Sequence, residues 1–149
     1  MNIDIVRVAG PDRRVLDAGL LARTEAVHRQ LRPQIDSDYL GRMQRVVRDG
    51  GEVIVGVLAD AVVGIAVFRL FENTHVGQRC YVDDLVTDAS RRSTGVGHAL
   101  VGWLEQEARS RGCAVLDLES GVQREGAHKF YFREGFIIPS FSFRKALTA

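Results

Sequence analysis

The stretch RRSTGVGHAL at residues 91–100 combines residue types that hold phosphate groups. Arg91 and Arg92 precede two glycines, Gly95 and Gly97, and apolar residues at helical spacing follow. The first N–H groups of a helix carry a partial positive charge, and glycine lets an anion reach them because it has no side chain. Arginine adds charge-assisted hydrogen bonds. The stretch therefore predicts either a phosphate-binding loop or a simple turn, and taken alone it does not separate the two.

Two well-known nucleotide-binding patterns do not fit this stretch. The dinucleotide-binding pattern needs Gly-x-Gly-x-x-Gly early in a strand–helix–strand unit. The phosphate loop of nucleotide hydrolases needs Gly-Lys followed by Ser or Thr. Here the order is Arg-x-x-Gly-x-Gly, in the middle of the chain and without lysine.

The elements around this stretch follow from hydrophobic periodicity. Strands are predicted at 3–8, 53–59, 62–68, 81–87 and 114–119, with one or two more in the tail FIIPSFSFRKAL. Helices are predicted over about 11–31, from Ser37 or Asp38 to about 49, over 95–111 and over 124–134. The strands at 53–59 and 62–68 are close enough to form a hairpin. This order favours a mixed α/β fold with helices on both faces of the sheet over a doubly wound parallel sheet.

A second stretch, AHKFYFREGF at residues 127–136, makes the interpretation more specific. Together the two stretches resemble the GNAT superfamily, small N-acetyltransferases that use acetyl-CoA. The family's acetyl-CoA loop is Gln/Arg-x-x-Gly-x-Gly/Ala, and its later signature is Ala-x-x-Phe/Leu-Tyr-x-x-x-Gly-Phe. The residues that match these two patterns are Arg92, Gly95 and Gly97, then Ala127, Phe130, Tyr131, Gly135 and Phe136.

The resemblance covers essentially the whole chain and implies one GNAT domain over residues 1–149. Its sheet would be mixed and mostly antiparallel, with a splayed central strand pair. In this chain the pair would be the strands at 81–87 and 114–119, parallel and separated at their ends. The gap between them would admit the pantetheine arm of acetyl-CoA.

The resemblance also implies which residues bind acetyl-CoA, the co-substrate. The strand edge at Leu85, Val86 and Thr87 would pair with the pantetheine arm. Arg124 stands where the family often has an asparagine that contacts the cofactor, so that contact is open. The loop that would hold the pyrophosphate comprises Arg91, Arg92, Ser93, Thr94, Gly95, Val96 and Gly97.

Acetyl transfer to an amine needs a neutral nucleophile and a proton for the leaving thiolate. By its place in the motif, Tyr131 is the implied proton donor; the alternative is a core aromatic. Asp83 and Asp84 are candidates for the base, or else structural hydrogen-bonding residues. Adjacent strand residues point to opposite faces, so the two aspartates share a pocket only if the strand contains a bulge, which this family commonly has. Glu119 is a further candidate, and a water chain could replace a side-chain base.

The resemblance implies an N-acetyltransferase acting on a primary amine of a small molecule or a protein. The alternative is a non-catalytic acetyl-CoA-binding module, a sensor or partner-binding domain, which would not need the tyrosine and the acidic pair. The acceptor pocket is expected from about 12–48, from 71–79 and from the C-terminal strands. These segments do not name the acceptor.

Composition limits the other functions. The formal net charge of the 149 residues is +1, which argues against nucleic acid as a partner. There is no apolar run of 18 residues and no pattern typical of a secretion signal, so we expect no membrane span and a cytoplasmic location. The four histidines lack metal-ligand spacing, so no metal is expected, and the two cysteines are expected to be free thiols. A homodimer is compatible with the resemblance.

Overall fold

A computed structural model describes residues 2–148, which form two compact units, 2–118 and 119–148. The first unit contains a five-stranded sheet in the order β1-β2-β3-β4-β5. Neighbours from β1 to β4 are antiparallel, and β4 and β5 are parallel, so the predicted mixed, mostly antiparallel sheet is confirmed. The strands are β1 (Asp4–Ala9), β2 (Glu52–Leu58), β3 (Ala61–Asn73), β4 (Gly77–Thr87) and β5 (Val115–Leu118).

Within residues 2–148, four α-helices and one short 3-10 helix (Ala89–Arg91) belong to the first unit, and one α-helix belongs to the second. The predicted cap at Asp38 is confirmed, since its side chain accepts a hydrogen bond from the N–H of Gly41 at 3.0 Å. None of the helices within 2–148 is long and apolar enough to cross a membrane. The helices are α1 (Ala18–Arg23), α2 (Glu25–Leu31), α3 (Tyr39–Arg48), α4 (Val96–Ser110) and α5 (Glu125–Arg133).

The single helix predicted over 11–31 is wrong in its first third and is divided in two. Residues before Asp17 bond to the first strand instead: Leu16 donates to the carbonyl of Val8 at 2.8 Å. Asp17 then caps α1 by accepting from Leu20 at 2.9 Å. At Thr24 both the backbone N–H and the hydroxyl bond to the carbonyl of Leu21, which ends α1 before α2 begins.

The strands predicted in the tail are also absent from the structure. Residues 136–148 contain no strand, and their apolar side chains, such as Phe141 and Phe143, are exposed. The alternating pattern FSF therefore does not produce a sheet in this part of the chain.

The sheet of the first unit buries both of its faces. Alternation along β2 sends Val53 and Val55 to one face and Ile54 to the other. The first face packs against α1, α2 and α3, and the second packs against α4. Because the strands are apolar on both faces, each face needs a cover, and helices lie on both faces as predicted.

Strand β4 is the point where the regular pairing changes. Val67 of β3 pairs with Asp84 and Phe68 pairs with Val82, so Asp83 is an extra residue in β4. This is a β-bulge, the irregularity that Asp83 and Asp84 need in order to share a pocket. On the other edge of β4, pairing with β5 ends at the Val82–Leu118 pair. The stretch from Asp83 to Thr87 therefore has no partner in β5, which fits the predicted separation of these two parallel strands.

Gly64 of β3 lets α4 approach the sheet closely. A Cβ at this position would lie 2.8 Å from Val96, 3.0 Å from Leu100 and 3.0 Å from the backbone carbonyl oxygen of Val86. The start of α4 and the neighbouring strand therefore both depend on the missing side chain.

We predict that Gly64→Ala lowers the free energy of unfolding by about 1–3 kcal/mol, because the carbonyl of β4 cannot move aside as a flexible side chain would. The matched control is Gly102→Ala on α4, where nothing lies within 4 Å of the added Cβ. That change should be neutral or stabilising by up to about 1 kcal/mol. Urea denaturation measures both, and equal effects would contradict the close packing at Gly64.

Candidate active site

The bulge in β4 turns Asp83 and Asp84 toward the same cavity. In a regular strand these neighbours would face opposite sides of the sheet. Here both line a cavity of about 220 Å³ in the first unit. The structure therefore brings the predicted acidic pair together.

The cavity lies between the sheet and the helices α2 and α3. Its apolar wall consists of Ile35, Met43, Val46 and Val67. Its other lining residues are polar or charged and come from α2, from the segment after α2, from α3, from β3 and from β4. Of the segments expected to form the acceptor pocket, the region 12–48 contributes, whereas residues 71–79 do not line this cavity.

Asp84 is held between His28 of α2 and Arg32, which follows that helix. Its Oδ2 lies 2.7 Å from Nε2 of His28, and its Oδ1 accepts from Nε of Arg32 at 2.7 Å. Burial acts to raise the pKa of Asp84, but the hydrogen bonds and charges of His28 and Arg32 outweigh it and lower the pKa. Both carboxylate oxygens of Asp84 are thus engaged by the protein.

A buried chain of hydrogen bonds continues from His28 into the core. Nδ1 of His28 lies 2.8 Å from the hydroxyl of Tyr39, which lies 2.7 Å from the hydroxyl of Thr24. Thr24 donates to the carbonyl of Leu21 at 2.7 Å. Burial raises the pKa of Tyr39 to about 12, which keeps its hydroxyl protonated.

Counting hydrogens gives the direction of each bond in this chain. Because Thr24 donates to Leu21, Tyr39 must donate to Thr24, and Nδ1–H of His28 must donate to Tyr39. Nε2–H of His28 then donates to the ionised Asp84. The full set of bonds therefore forms when both ring nitrogens of His28 carry hydrogen, as an imidazolium paired with a carboxylate.

Asp83 is bound differently. Its Oδ2 accepts two hydrogen bonds from Arg69 on β3, from Nε at 2.9 Å and from Nη2 at 2.6 Å. Its Oδ1 has no hydrogen-bond partner among residues 2–148. Asp83 therefore has a carboxylate oxygen available to a ligand in the cavity, and Asp84 does not.

The glycine-rich stretch forms an exposed loop that leads into α4. Ser93 and Gly95 both have positive φ angles, of 63° and 91°, and Gly95 is the N-cap of the helix. Thr94 closes the turn by donating its hydroxyl hydrogen to the carbonyl of Arg91. The first hydrogen bond of α4 runs from Ala99 to the carbonyl of Gly95. The amides of Val96 and Gly97 precede it at the positive end of a 15-residue helix.

The start of this loop is fixed by α2. Gln30 accepts from the N–H of Ala89 at 2.9 Å and donates to Asp88 at 3.2 Å. Asp88 also accepts from the N–H of Ser90 at 3.2 Å, and these hydrogen bonds lower its pKa. The helix that contributes His28 to the cavity therefore also anchors the loop.

Strand β4 presents the predicted cofactor edge beside this loop. One edge of Leu85, Val86 and Thr87 is occupied by pairing with Ala66, Ile65 and Gly64 of β3. Their other edge is not paired with β5. The side chain of Val86 is buried in the core, so an edge ligand would meet the backbone there.

Tyr131 lies on α5 in the second unit. Its ring makes edge contacts with Phe130 and Phe136, at centroid distances of 5.4 and 5.6 Å. Burial raises its pKa, against a smaller opposing effect of the positive charge of Arg124, so the hydroxyl is protonated at neutral pH. Arg124 is the N-cap residue of α5.

The remaining residues considered in the sequence analysis do not line the cavity of the first unit. Glu119 is exposed, and His128 makes a 2.9 Å hydrogen bond with the carbonyl of Gly121 within the second unit. Cys80 and Cys113 are free thiols. Within 2–148 no three His, Cys, Asp or Glu side chains form a group that could hold a metal ion.

Sequence reasoning missed the cations around the acidic pair. His28, Arg32 and Arg69 lie 56, 52 and 14 residues from their aspartate partners. The one available signal was a polar histidine next to Val27, on a helix whose apolar side faces the core.

Comparison with known proteins places this geometry in a family. Residues 20–136 match the model of the acetyltransferase (GNAT) family. The chain belongs to the GNAT family. It is 32% identical over 140 residues to an uncharacterized N-acetyltransferase, YhdJ, of Bacillus subtilis (strain 168), covering 83% of this chain and 89% of the relative. The family and this relative identify an N-acetyltransferase.

Two further proteins are similar to this GNAT chain. An aminoalkylphosphonate N-acetyltransferase of Salmonella typhimurium (strain LT2) is 36% identical over 80 residues, covering 54% of this chain and 50% of that protein. The structure of an aminoglycoside N-acetyltransferase, AAC(6')-Iy, with a CoA-containing bisubstrate analogue superimposes with a TM-score of 0.83. The superposition covers all of this chain and all of that chain, and the two sequences are 14% identical, which shows a shared fold.

We predict that Asp84→Asn destabilises the protein by about 1–3 kcal/mol at neutral pH, because it removes the charge that His28 and Arg32 share. The folded-state pKa of Asp84 lies below its ordinary value of 3.8, so its contribution is complete above that pH and is lost as pH falls further. The difference between variant and wild type should therefore shrink below about pH 4.

The matched control is Asp36→Asn, an aspartate whose side chain is 46% exposed in its contacts with Arg42 and Arg45, against 14% for Asp84. Its effect should stay under about 1 kcal/mol. Chemical denaturation between pH 3 and pH 7 measures both variants. A pH-independent deficit in Asp84→Asn would show that its charge does not stabilise the fold.

Proposed function

We propose that this protein transfers an acetyl group from acetyl-CoA directly to the primary amine of a small molecule. The observation that carries the proposal is the bulge in β4. It places a carboxylate with an available oxygen in a cavity, on the same strand whose next residues have an edge without a partner in β5. An amine and an extended cofactor arm would therefore meet along a single strand.

Acetyl-CoA would bind the first unit at two places, a strand edge and a loop. The edge of Leu85, Val86 and Thr87 offers peptide hydrogen bonds to the pantetheine arm, as to an added strand. The pyrophosphate suits the loop from Arg91 to Gly97, where the amides at the start of α4 and the guanidinium groups of Arg91 and Arg92 attract an anion. A solved structure of the same fold contains a CoA conjugate, which supports this choice of co-substrate.

Asp83 is the proposed contact for the acceptor amine, through its available Oδ1. Asp84 is proposed to position the site, because its own oxygens are already bound by His28 and Arg32. The neutral amine attacks the thioester carbonyl carbon with its nitrogen, and the nitrogen gives up one proton to Asp83, directly or through water. A C–N bond forms, the C–S bond breaks, and the products are an amide and the thiol of CoA.

Tyr131 is proposed to give the departing thiolate its proton. Asp83 then releases the proton taken from the amine to solvent, and Tyr131 regains a proton from solvent. The raised pKa keeps the donor protonated until the thiolate forms. The family match runs from residue 20 to residue 136, across the boundary between the two units. We therefore propose that both units act as one catalytic domain, with Arg124 as a candidate contact to the cofactor.

The cavity supports a small acceptor. Its volume of about 220 Å³ lies below the common range for drug-sized ligands, about 300–1,000 Å³. The Salmonella relative is named for an aminoalkylphosphonate, which is itself a small amine. A short aliphatic amine would pack against Met43 and Val67 and reach Asp83.

The test is release of free CoA thiol when the purified protein is mixed with acetyl-CoA and a panel of small amines. Thiol release that depends on the amine, with the acetylated amine identified by mass spectrometry, supports the proposal. Calorimetry in the same buffer measures binding of acetyl-CoA. Binding without thiol release from any amine would instead indicate a sensor or partner-binding module.

We predict that Gly97→Val weakens binding of CoA by about 2 kcal/mol or more, because a branched side chain at the first turn of α4 keeps the pyrophosphate from the amides. Gly126→Ala in α5 is the control for the removal of a helical glycine, and it should leave affinity unchanged. Calorimetry gives the affinities and circular dichroism the folding of each variant. Unchanged affinity in a folded Gly97→Val protein would argue against the loop as the pyrophosphate site.

We predict that Tyr131→Phe lowers turnover by about 100- to 10,000-fold while the affinity for acetyl-CoA barely changes, because only the proton donor is removed. The ring and its contacts with Phe130 and Phe136 remain. Steady-state kinetics with an active amine measure the loss. Turnover within about threefold of wild type would make Tyr131 a packing residue and leave proton delivery to water.

A further inference from the structure

The cavity beside Asp83 and Asp84 contains more positive than negative groups. Three arginines line it, Arg32, Arg42 and Arg69, together with His28. The two aspartates are the carboxylates among the lining residues. The cations therefore exceed the anions even after each carboxylate has found a partner.

Most of these cations are already committed. Arg32 binds Asp84 through Nε and the backbone carbonyl of Asp83 through Nη2, at 2.7 and 3.1 Å. Arg69 binds Asp83 through two nitrogens. Arg32 and Arg69 therefore serve to bind the acidic pair, Asp83 and Asp84.

Arg42 of α3 is different. Its nearest carboxylate is Asp36, at 3.6 Å, which is beyond hydrogen-bond distance. Asp36 is shared with Arg45, whose Nη2 is closer at 3.3 Å. Within residues 2–148 the guanidinium of Arg42 donates no hydrogen bond to a protein acceptor, and its side chain is 47% exposed. It therefore presents a charged, planar group of donors at the cavity.

Gln34 also lines the cavity and carries an amide that can donate to an anion. The remaining wall, formed by Ile35, Met43, Val46 and Val67, suits a short aliphatic chain. The cavity thus offers a free carboxylate oxygen on Asp83, an apolar wall and the guanidinium of Arg42, whose ion pair with Asp36 leaves its hydrogen-bond donors unused within residues 2–148.

We propose that the acceptor is a small primary amine that carries an oxyanion, and that Arg42 binds this oxyanion while Asp83 contacts the amine. The proposal rests on the proposed acetyl transfer and names its substrate class. Guanidinium groups bind carboxylate, phosphonate and phosphate through paired hydrogen bonds, so the shared chemistry is the oxyanion. A second cation on the acceptor would instead face Arg42 and be disfavoured.

The kinetic test compares acceptors that differ in one end group. They are 2-aminoethylphosphonate, β-alanine, propylamine and 1,3-diaminopropane, with thiol release as the readout. Wild-type kcat/KM should be at least about 10-fold higher for the better of the two anionic amines than for propylamine, and lowest for the diamine. Phosphonate against carboxylate identifies the kind of oxyanion. A wild-type preference for propylamine or the diamine would overturn the proposal.

The variant test uses Arg42→Gln with Arg45→Gln as its matched control, since Arg45 is on the same helix and also faces Asp36 but does not line the cavity. Arg42→Gln should reduce kcat/KM for the preferred anionic amine by about 10- to 100-fold and leave propylamine within about twofold. Arg42→Lys should recover part of the loss. An equal loss in Arg45→Gln, or an equal loss on propylamine, would overturn the assignment to Arg42.

Binding of propylphosphonate, which has no amine, separates this inference from acetyl transfer. Calorimetry should show binding to the wild type and about 10- to 100-fold weaker binding to Arg42→Gln. If no amine releases thiol but this difference is found, the proposed function fails and the oxyanion site remains. If amines are acetylated but propylphosphonate does not bind, the function remains and the oxyanion site is wrong.

Discussion

One extra residue in β4 determines how the candidate site is built. Without it, Asp83 and Asp84 would face opposite sides of the sheet, and one of the two carboxylates would enter the apolar core around Phe68. Burying an unpaired carboxylate there would be expensive. The bulge brings both charges to the side where His28, Arg32 and Arg69 are available. Those cations in turn fix α2 and β3 around the cavity.

The two faces of the sheet contribute different parts of the proposed reaction. The face covered by α2 and α3 holds the acceptor cavity, and the face covered by α4 sets the position of the glycine-rich loop. Strand β4 serves both, because its side chains at the bulge line the cavity while its backbone beyond the bulge offers an edge. Gly64 of β3 lets α4 lie close to this strand. Gln30 of α2 holds the start of the loop from the opposite side of the sheet.

Local patterns in the sequence predicted most of the fold and the residues of the loop, because turns, caps and apolar spacing act over a few positions. The hairpin of β2 and β3, the cap at Asp38 and the helix α4 are examples. The failures occur where longer-range hydrogen bonds compete. Residues 13–16 have helical spacing, yet Leu16 bonds back to β1. The alternation in FSF predicts a strand, but a strand also needs a free neighbouring edge, which alternation does not describe. The partners of Asp84 were not predictable because one sequence carries no signal for a contact across 52 or 56 residues.

The buried chain from Asp84 to Leu21 has a consequence for how protons leave this enzyme. Each donor in the chain is used once, and the chain ends on a backbone carbonyl, which accepts a hydrogen but has none to pass on. A proton arriving at Asp84 would have no path inward through His28, Tyr39 and Thr24. The chain therefore fixes the position of the Asp84 carboxylate and offers no route for proton transfer into the core. In the proposed reaction, a proton taken from the acceptor amine would therefore pass to solvent and not through the core.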